Sequence, residues 1–151
     1  MHSALVWSYR LLASAEQQLL TRVAVFVGSW TLAAAKAVGA DEASPNITAA
    51  NVPTLLNQLI TKSLVLVESL NGERRYRLLE PVRQFAHAQL IVGGEQEVIR
   101  RRHADYFFSL AEKMDQARDT PQEREWLQRL EPERNNLRAV NRWVLDRKSV
   151  V

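Results

Sequence analysis

The sequence contains no cysteine among its 151 residues, which excludes disulfides and thiolate metal sites and fits a reducing compartment. Glycine is scarce, with five residues, and no Gly-x-x-x-x-Gly-Lys-Ser/Thr loop is present to cradle a triphosphate. The longest apolar run, Val23 to Val27, is far shorter than the roughly 20 residues that span a bilayer. The N-terminus lacks the layout of a signal peptide. These absences predict a cytoplasmic chain with no catalytic site and no membrane association.

Charge is modest and unevenly distributed. The formal net charge is +3, and all of the surplus lies in residues 71–151. A nucleic-acid-binding domain usually carries a denser basic patch than this. The three histidines, His2, His87 and His103, share no helical spacing and no carboxylate cluster, which argues against a metal site. We expect His87 and His103 to be partly buried helix residues that form a hydrogen bond.

Capping residues delimit the first helices. Ser14 and Gln17 form the capping-box pattern of a helix that runs to about Val25. Thr31 can cap a second short helix, and Gly39 stands where the C-terminus of that helix would take a left-handed residue. A further helix begins at position 51 or 52, with a proline in its first turn and a clear apolar stripe.

After this helix the spacing of apolar residues changes to the alternation that is typical of β-strands, and the segment predicts a β-hairpin. Residues 64–70 and 73–79 flank Asn71-Gly72, the strongest short hairpin signal, because both residues tolerate positive φ. A two-residue turn fixes the register of the strands. The apolar face, expected to be buried, pairs Val67 with Tyr76 and Val65 with Leu78. The other face pairs Glu68 with Arg75 and Leu66 with Arg77.

Only helices follow the hairpin. Pro81 starts one that Gly93-Gly94 ends, and a long helix covers about 95–117. Thr120 can cap the next, with apolar residues expected to point inward, namely Trp126, Leu127 and Leu130. A last helix begins near Pro132. The predicted fold is mainly α: a winged helix-turn-helix with one β-hairpin wing over 1–93, then α-hairpins of a helical-repeat, tetratricopeptide-like array over 95–151.

Five segments carry a family resemblance, and they keep the family's order. They are residues 7–12 with 24–26, 59–65, 76–86, 102–107 and 135–139. Together they resemble the winged-helix region of bacterial STAND (NB-ARC-like) signalling ATPases, which are often large LuxR-type transcriptional regulators, and the start of their tetratricopeptide-like arm. The resemblance implies an upstream nucleotide-binding domain that takes ATP or ADP and a downstream repeat arm as partners. It implies no cofactor within this chain.

Many members of that family place a Met-His-Asp motif at the end of the hairpin, where its histidine contacts the nucleotide phosphate. The matching positions here are Leu78, Leu79 and Glu80. Leu79 has no donor for a phosphate. Glu80 is either the acidic end of the motif or a charge that favours the N-terminus of the helix that follows.

Two hypotheses follow. The leading one is a non-catalytic regulatory module that couples an upstream nucleotide-binding domain to a downstream repeat sensor. The alternative is a DNA-binding transcriptional regulator, in which the helix before the wing enters the major groove. Its candidate contacts lie on that helix and on the wing: Asn57, Gln58, Lys62, Arg74, Arg75 and Arg77.

Two surface features complete the predictions. Arg100-Arg101-Arg102 is expected to form a solvated face with acidic partners such as Glu97 and Asp105, because successive helix positions lie about 100° apart. An array that stops after one or two helix pairs leaves an apolar end uncovered. Trp143 and Val144 are therefore expected to be partly exposed or to contact another chain.

Overall fold

The structure, a computed structural model, describes residues 2–41 and 46–149. It is mainly helical with one small antiparallel sheet. The helices are α1 His2–Arg10, α2 Ser14–Val23, α3 Leu32–Gly39, α4 Val52–Thr61, α5 Glu80–Val92, α6 Gln96–Ala117, α7 Glu123–Leu130 and α8 Arg134–Ser149. The strands are β1 Ser29–Trp30, β2 Leu66–Leu70 and β3 Glu73–Arg77, and a 3-10 turn covers Glu131–Glu133. The predicted fold class, a winged helix followed by helices, is confirmed.

The caps of the first helices differ in detail from the prediction. Helix α2 begins at Ser14, and the acid that closes its first turn is Glu16, which accepts the Ala13 N–H at 2.8 Å. Gln17 instead donates to the Tyr9 carbonyl at 2.7 Å, so it ties α2 to the end of α1. Thr31 caps α3 as predicted, since its hydroxyl accepts the Ala34 N–H at 3.1 Å.

Gly39 has a role that the sequence did not show. It is the last residue of α3 and its φ is not positive, so the predicted left-handed conformation at the C-terminus of this helix is wrong. A Cβ at this position would lie 2.6 Å from Cδ1 of Leu19, a fully buried side chain of α2. Glycine is needed here because α2 and α3 approach closely.

The sheet has a third strand that the sequence pattern does not predict. The hairpin register is confirmed, but β1 pairs with the far side of β3, which gives the order β1-β3-β2. The prediction of a single buried face is only partly right. Tyr76 is buried, whereas Val67 is 40% exposed, and Arg75 on the other face is only 1% exposed. Strand β3 is central, and the chain beyond the hairpin covers its second face.

One hydrophobic core continues from the winged helix into α6 and α8. The Phe26 ring stacks on Trp30 with 5.2 Å between centroids and meets the edge of Phe107 at 6.3 Å. Ile99 and Val140 belong to the same buried cluster. The boundary predicted between 93 and 95 falls at a turn, yet buried side chains from both sides of it pack together. The division into two domains stays a prediction.

The later helices depart most from the prediction. Thr120 is not the N-cap of α7, because α7 begins at Glu123 and its N-cap is Gln122. The Thr120 hydroxyl donates to the Ala117 carbonyl at the end of α6 and accepts the Gln122 N–H at 3.3 Å. Leu127 is 52% exposed and does not point inward. Trp143 and Val144 are half-buried, which confirms the expectation for the last helix.

Candidate nucleic-acid interface

Helix α4 is fixed by one apolar side and presents the other to solvent. Leu55, Leu56 and Leu59 are buried, as the helical period of the segment requires, and α4 packs against α2. Pro53 lies in its first turn, where the missing N–H costs no hydrogen bond. The opposite side forms a shallow groove of about 300 Å³, and its lining residues are Thr54, Asn57, Gln58, Thr61 and Lys62.

The amides of this groove are available for recognition. Thr61 donates its hydroxyl to the Asn57 carbonyl at 3.0 Å. The side chains of Asn57 and Gln58 are exposed and form no hydrogen bond within the part of the chain that the structure describes. A carboxamide has two donors and an acceptor, which can pair with the N6 and N7 edge of adenine. The groove can therefore read a base edge.

Lys62, the cation of this groove, is already engaged. Its Nζ lies 2.9 and 2.8 Å from the two carboxylate oxygens of Glu16, whose side chain is 4% exposed. Burial raises the pKa of Glu16, but hydrogen bonds from Lys62 and from the Ala13 N–H lower that pKa more, so the net shift is downward. Lys62 thus neutralises the charge of a buried carboxylate, which weakens any interaction of its ammonium group with a phosphate.

The wing has two exposed arginines. Arg74 lies over the Tyr76 ring, 5.5 Å from its centroid. Arg77 pairs with Glu68 at 3.2 Å, and both side chains are more than 40% exposed. An exposed pair of this kind contributes little and can exchange partners. Both arginines remain accessible to a phosphate.

Arg75 must be removed from the predicted DNA contacts. Its side chain is 1% exposed, its Nε donates to the Ser29 hydroxyl at 2.8 Å, and it pairs with Glu133 at 2.5 Å. Burial raises the pKa of Glu133, although the charge of Arg75 acts to lower it. Arg75 therefore fastens the sheet to the turn before α8 and is not available to a ligand.

Comparison with known proteins decides the family. The family of winged helix-turn-helix domains matches residues 12–91, which include α2, the whole sheet and nearly all of α5. The chain belongs to the winged helix-turn-helix family.

Longer mycobacterial proteins resemble the winged-helix chain. A protein of Mycobacterium tuberculosis, provisionally named an HTH-type transcriptional regulator, is 38% identical over 143 residues, which cover 95% of this chain and 16% of that protein. The corresponding protein of Mycobacterium bovis has the same identity and coverage. An uncharacterized Mycobacterium tuberculosis protein is 37% identical over 97 residues, 64% of this chain and 24% of that protein. The chain thus spans about a sixth of the named regulators. No solved structure gives a significant match.

Leu79 and Glu80 follow the wing, at the positions that the family resemblance matches to a nucleotide-contacting motif. Leu79 precedes α5 and is 47% exposed. Glu80 is the first residue of α5, and its carboxylate accepts two hydrogen bonds from Arg83, at 2.7 and 3.0 Å. The hydrogen bond from Arg83 is the main reason that the pKa of Glu80 is lowered. Glu80 positions Arg83 and places a negative charge at the helix N-terminus.

The winged helix is joined to α8 by a buried polar cluster around Asn136. Its Oδ1 accepts the Val27 N–H at 2.8 Å and lies 3.1 Å from Nε2 of His103, while its Nδ2 donates to the Ser29 carbonyl at 3.2 Å. Burial lowers the pKa of His103 to about 4. His103 is a buried helix residue with a hydrogen bond, as predicted, and His87 is half-buried with Gln96 at 3.5 Å.

The partners of the arginine run were predicted wrongly. Arg102 turns toward the end of α3, where it pairs with Asp41 at 3.3 Å and donates to the Val38 and Ala40 carbonyls. Glu97 pairs with Arg147 of α8. Both partners are distant in sequence and come close only through folding.

Residues 2–41 and 46–149, which the structure describes, contain neither a candidate metal site nor a membrane-spanning helix. They hold no group of three or more histidine, aspartate or glutamate side chains that could bind a metal ion. None of the helices described there is long and apolar enough to cross a membrane.

Proposed function

We propose that this chain is the DNA-binding winged-helix segment of a transcriptional regulator and acts in the cytoplasm. Helix α4 enters the major groove with Asn57 and Gln58 toward the bases, and Arg74 and Arg77 of the wing contact the phosphate backbone. The observation that carries the proposal is the exposed, unbonded amide pair on the helix before the wing. The names of the mycobacterial relatives support a role in transcription, and they name regulators, not enzymes.

The charge of the interface sets the affinity. Arg74 and Arg77 are exposed, Arg75 is buried and Lys62 is held by Glu16. Two or three neutralised phosphates correspond to a slope of log K against log salt of about −2 to −3. Phosphate contacts supply most of the affinity of such proteins, so this chain alone should bind weakly. The relatives are about six times longer than the matched segment, and other parts of such proteins would supply the remaining affinity.

Fluorescence anisotropy of labelled short duplexes over a salt series tests the proposal. Asn57→Ala with Gln58→Ala should reduce the preference among duplexes of different sequence and leave the salt slope unchanged. Arg74→Gln with Arg77→Gln should reduce the slope by about 2. Arg101→Gln with Arg138→Gln is the matched control, since it removes the same charge from exposed positions of α6 and α8. Binding that the control pair weakens as much as the wing pair would contradict the proposal.

A second candidate is favoured by a different observation. Arg22 of α2 donates to both oxygens of Glu95 at 3.1 and 2.8 Å, Arg75 pairs with Glu133, and the core is continuous. These contacts fasten the winged helix to the helices after it, which suits a coupling module between a nucleotide-binding domain and a repeat arm. Titrating the chain with such a domain, loaded with ADP or with ATP, tests this candidate. Nucleotide-dependent binding would support it, and equal or absent binding would contradict it.

A further inference from the structure

A basic cleft lies where the winged helix meets the later helices. It has a volume of about 470 Å³ and lies between the end of α2 and helices α5, α6 and α8. Its polar lining includes three arginines and two histidines: Arg83, Arg100, Arg142, His87 and His103. Trp143, with Ala24, Val25 and Val140, gives it an apolar part. No lining residue belongs to α4 or to the wing, so the cleft is separate from the proposed DNA surface.

The positive charge of the cleft is only partly compensated. Glu80 holds Arg83 through two hydrogen bonds. Neither Arg100 nor Arg142 forms an ion pair within residues 2–41 and 46–149. Asp146 is the acidic residue of the lining and is not free of interactions. The cleft thus has two arginines whose guanidinium groups can turn to a ligand.

The pKa of His87 reflects the positive electrostatic potential of the cleft. It is half-buried, and burial together with the charges of Arg100 and Arg83 lowers its pKa. Arg100 and Arg83 come from different helices, yet both act on the same imidazole. Cations gathered in a concave, partly dry site attract an anion more strongly than they would on an open surface.

We propose that this cleft binds a phosphorylated small molecule, with its phosphate held by Arg100 and Arg142 and its organic part against Trp143. The guanidinium fork matches the geometry of phosphate oxygens and bonds to them in pairs. The volume lies within the range of about 300 to 1,000 Å³ that is typical of small-ligand sites. A duplex is too wide to enter a cleft of this size.

A ligand in this cleft would contact both the winged helix and the helices that follow it. One wall belongs to α2 and α5 of the winged helix, and the other belongs to α6 and α8. A ligand that contacts both walls stabilises their packing by binding only the folded arrangement. The phosphorylated compound is therefore expected to raise the melting temperature of the whole chain.

Calorimetric titration with inorganic phosphate and pyrophosphate, at constant ionic strength and near-neutral pH, tests the proposal. The chain should bind pyrophosphate, and Arg100→Gln or Arg142→Gln should each weaken binding by about tenfold or more, because each removes a charge-assisted hydrogen bond. Arg101→Gln and Arg138→Gln remove the same charge from exposed positions on the same two helices, and they should change binding by less than about twofold.

A second readout does not depend on the stability of a variant. Bound pyrophosphate should raise the pKa of His87 in the unmodified chain, measured from its imidazole resonances, because the anion offsets Arg83 and Arg100. The proposal would be overturned by no change in the pKa of His87 with excess pyrophosphate, by equal weakening in the control variants, or by competition from duplex DNA for the same arginines. Equal binding of glutarate would show a carboxylate site and would also contradict it.

Discussion

Replacing Arg75 with methionine should destabilise the chain far more than replacing an arginine of the exposed wing. The side chains of Arg75 and Glu133 are 1% and 4% exposed, and Ser29 accepts two further hydrogen bonds from the guanidinium. Arg75→Met leaves Glu133 buried without its counter-charge. Loss of one partner of a buried pair costs about 3–5 kcal/mol, a large part of the roughly 5–15 kcal/mol by which a typical domain is stable.

The same reasoning predicts the stability of a double variant in which both Arg75 and Glu133 are replaced. Burial and the charge of Glu73 raise the pKa of Glu133 despite the adjacent guanidinium, so this carboxylate is costly to bury even with its partner in place. Arg75→Met combined with Glu133→Leu removes both charges and should recover most of the loss. In Arg75→Met alone, the loss should grow as pH rises, because a carboxyl with a raised folded pKa keeps its proton in the folded state and must lose it at higher pH.

Urea denaturation followed by circular dichroism measures these differences. Arg77→Met is the matched control, because its pair with Glu68 is exposed and should contribute about 0–1 kcal/mol. If Arg75→Met cost no more than Arg77→Met, the buried link between the sheet and the turn before α8 would be refuted.

Three further predictions concern single sites. The pKa of His103 is lowered from 6.5, its ordinary value, to about 4 in the folded chain. The stability that neutral His103 contributes is therefore complete above pH 6.5, and it declines by up to about 3 kcal/mol as the pH falls toward 4. Denaturation at several pH values should show a smaller acid loss in His103→Gln, and an equal loss would contradict this. Gly39→Ala should cost about 1 kcal/mol by thermal denaturation, because overpacking against Leu19 exceeds the gain in helix propensity, and an unchanged or higher stability would refute it. Glu16→Gln should release Lys62 and make the anisotropy salt slope steeper by about 1, and an unchanged slope would show that Lys62 does not reach phosphate.

Features that depend on local chemistry could be predicted from the sequence. The hairpin register follows from Asn71 and Gly72, which have φ of 54° and 78° and make the two-residue turn that the sequence indicates. The cap at Thr31 and the exposed face of α4 follow in the same way from a neighbour three residues away and from the helical period.

Features that depend on distant partners could not be predicted. Strand β1 has two residues, too few for any periodic signal, and it exists because β3 offers a free edge. The sequence pattern places Arg75 on the exposed side of the wing, because its buried partner, Glu133, lies far along the chain. The basic cleft gathers Arg83, Arg100 and Arg142 from three helices, and nothing in the spacing of these residues indicates that they meet.

Backbone amide shift mapping of the isotope-labelled chain with a short duplex at low salt tests the DNA proposal most directly. The largest changes are predicted at Thr54, Asn57 and Gln58 of α4 and at Arg74 of the wing. Changes absent from α4, or confined to residues around Arg100 and Arg142, would contradict the proposal that this helix reads DNA.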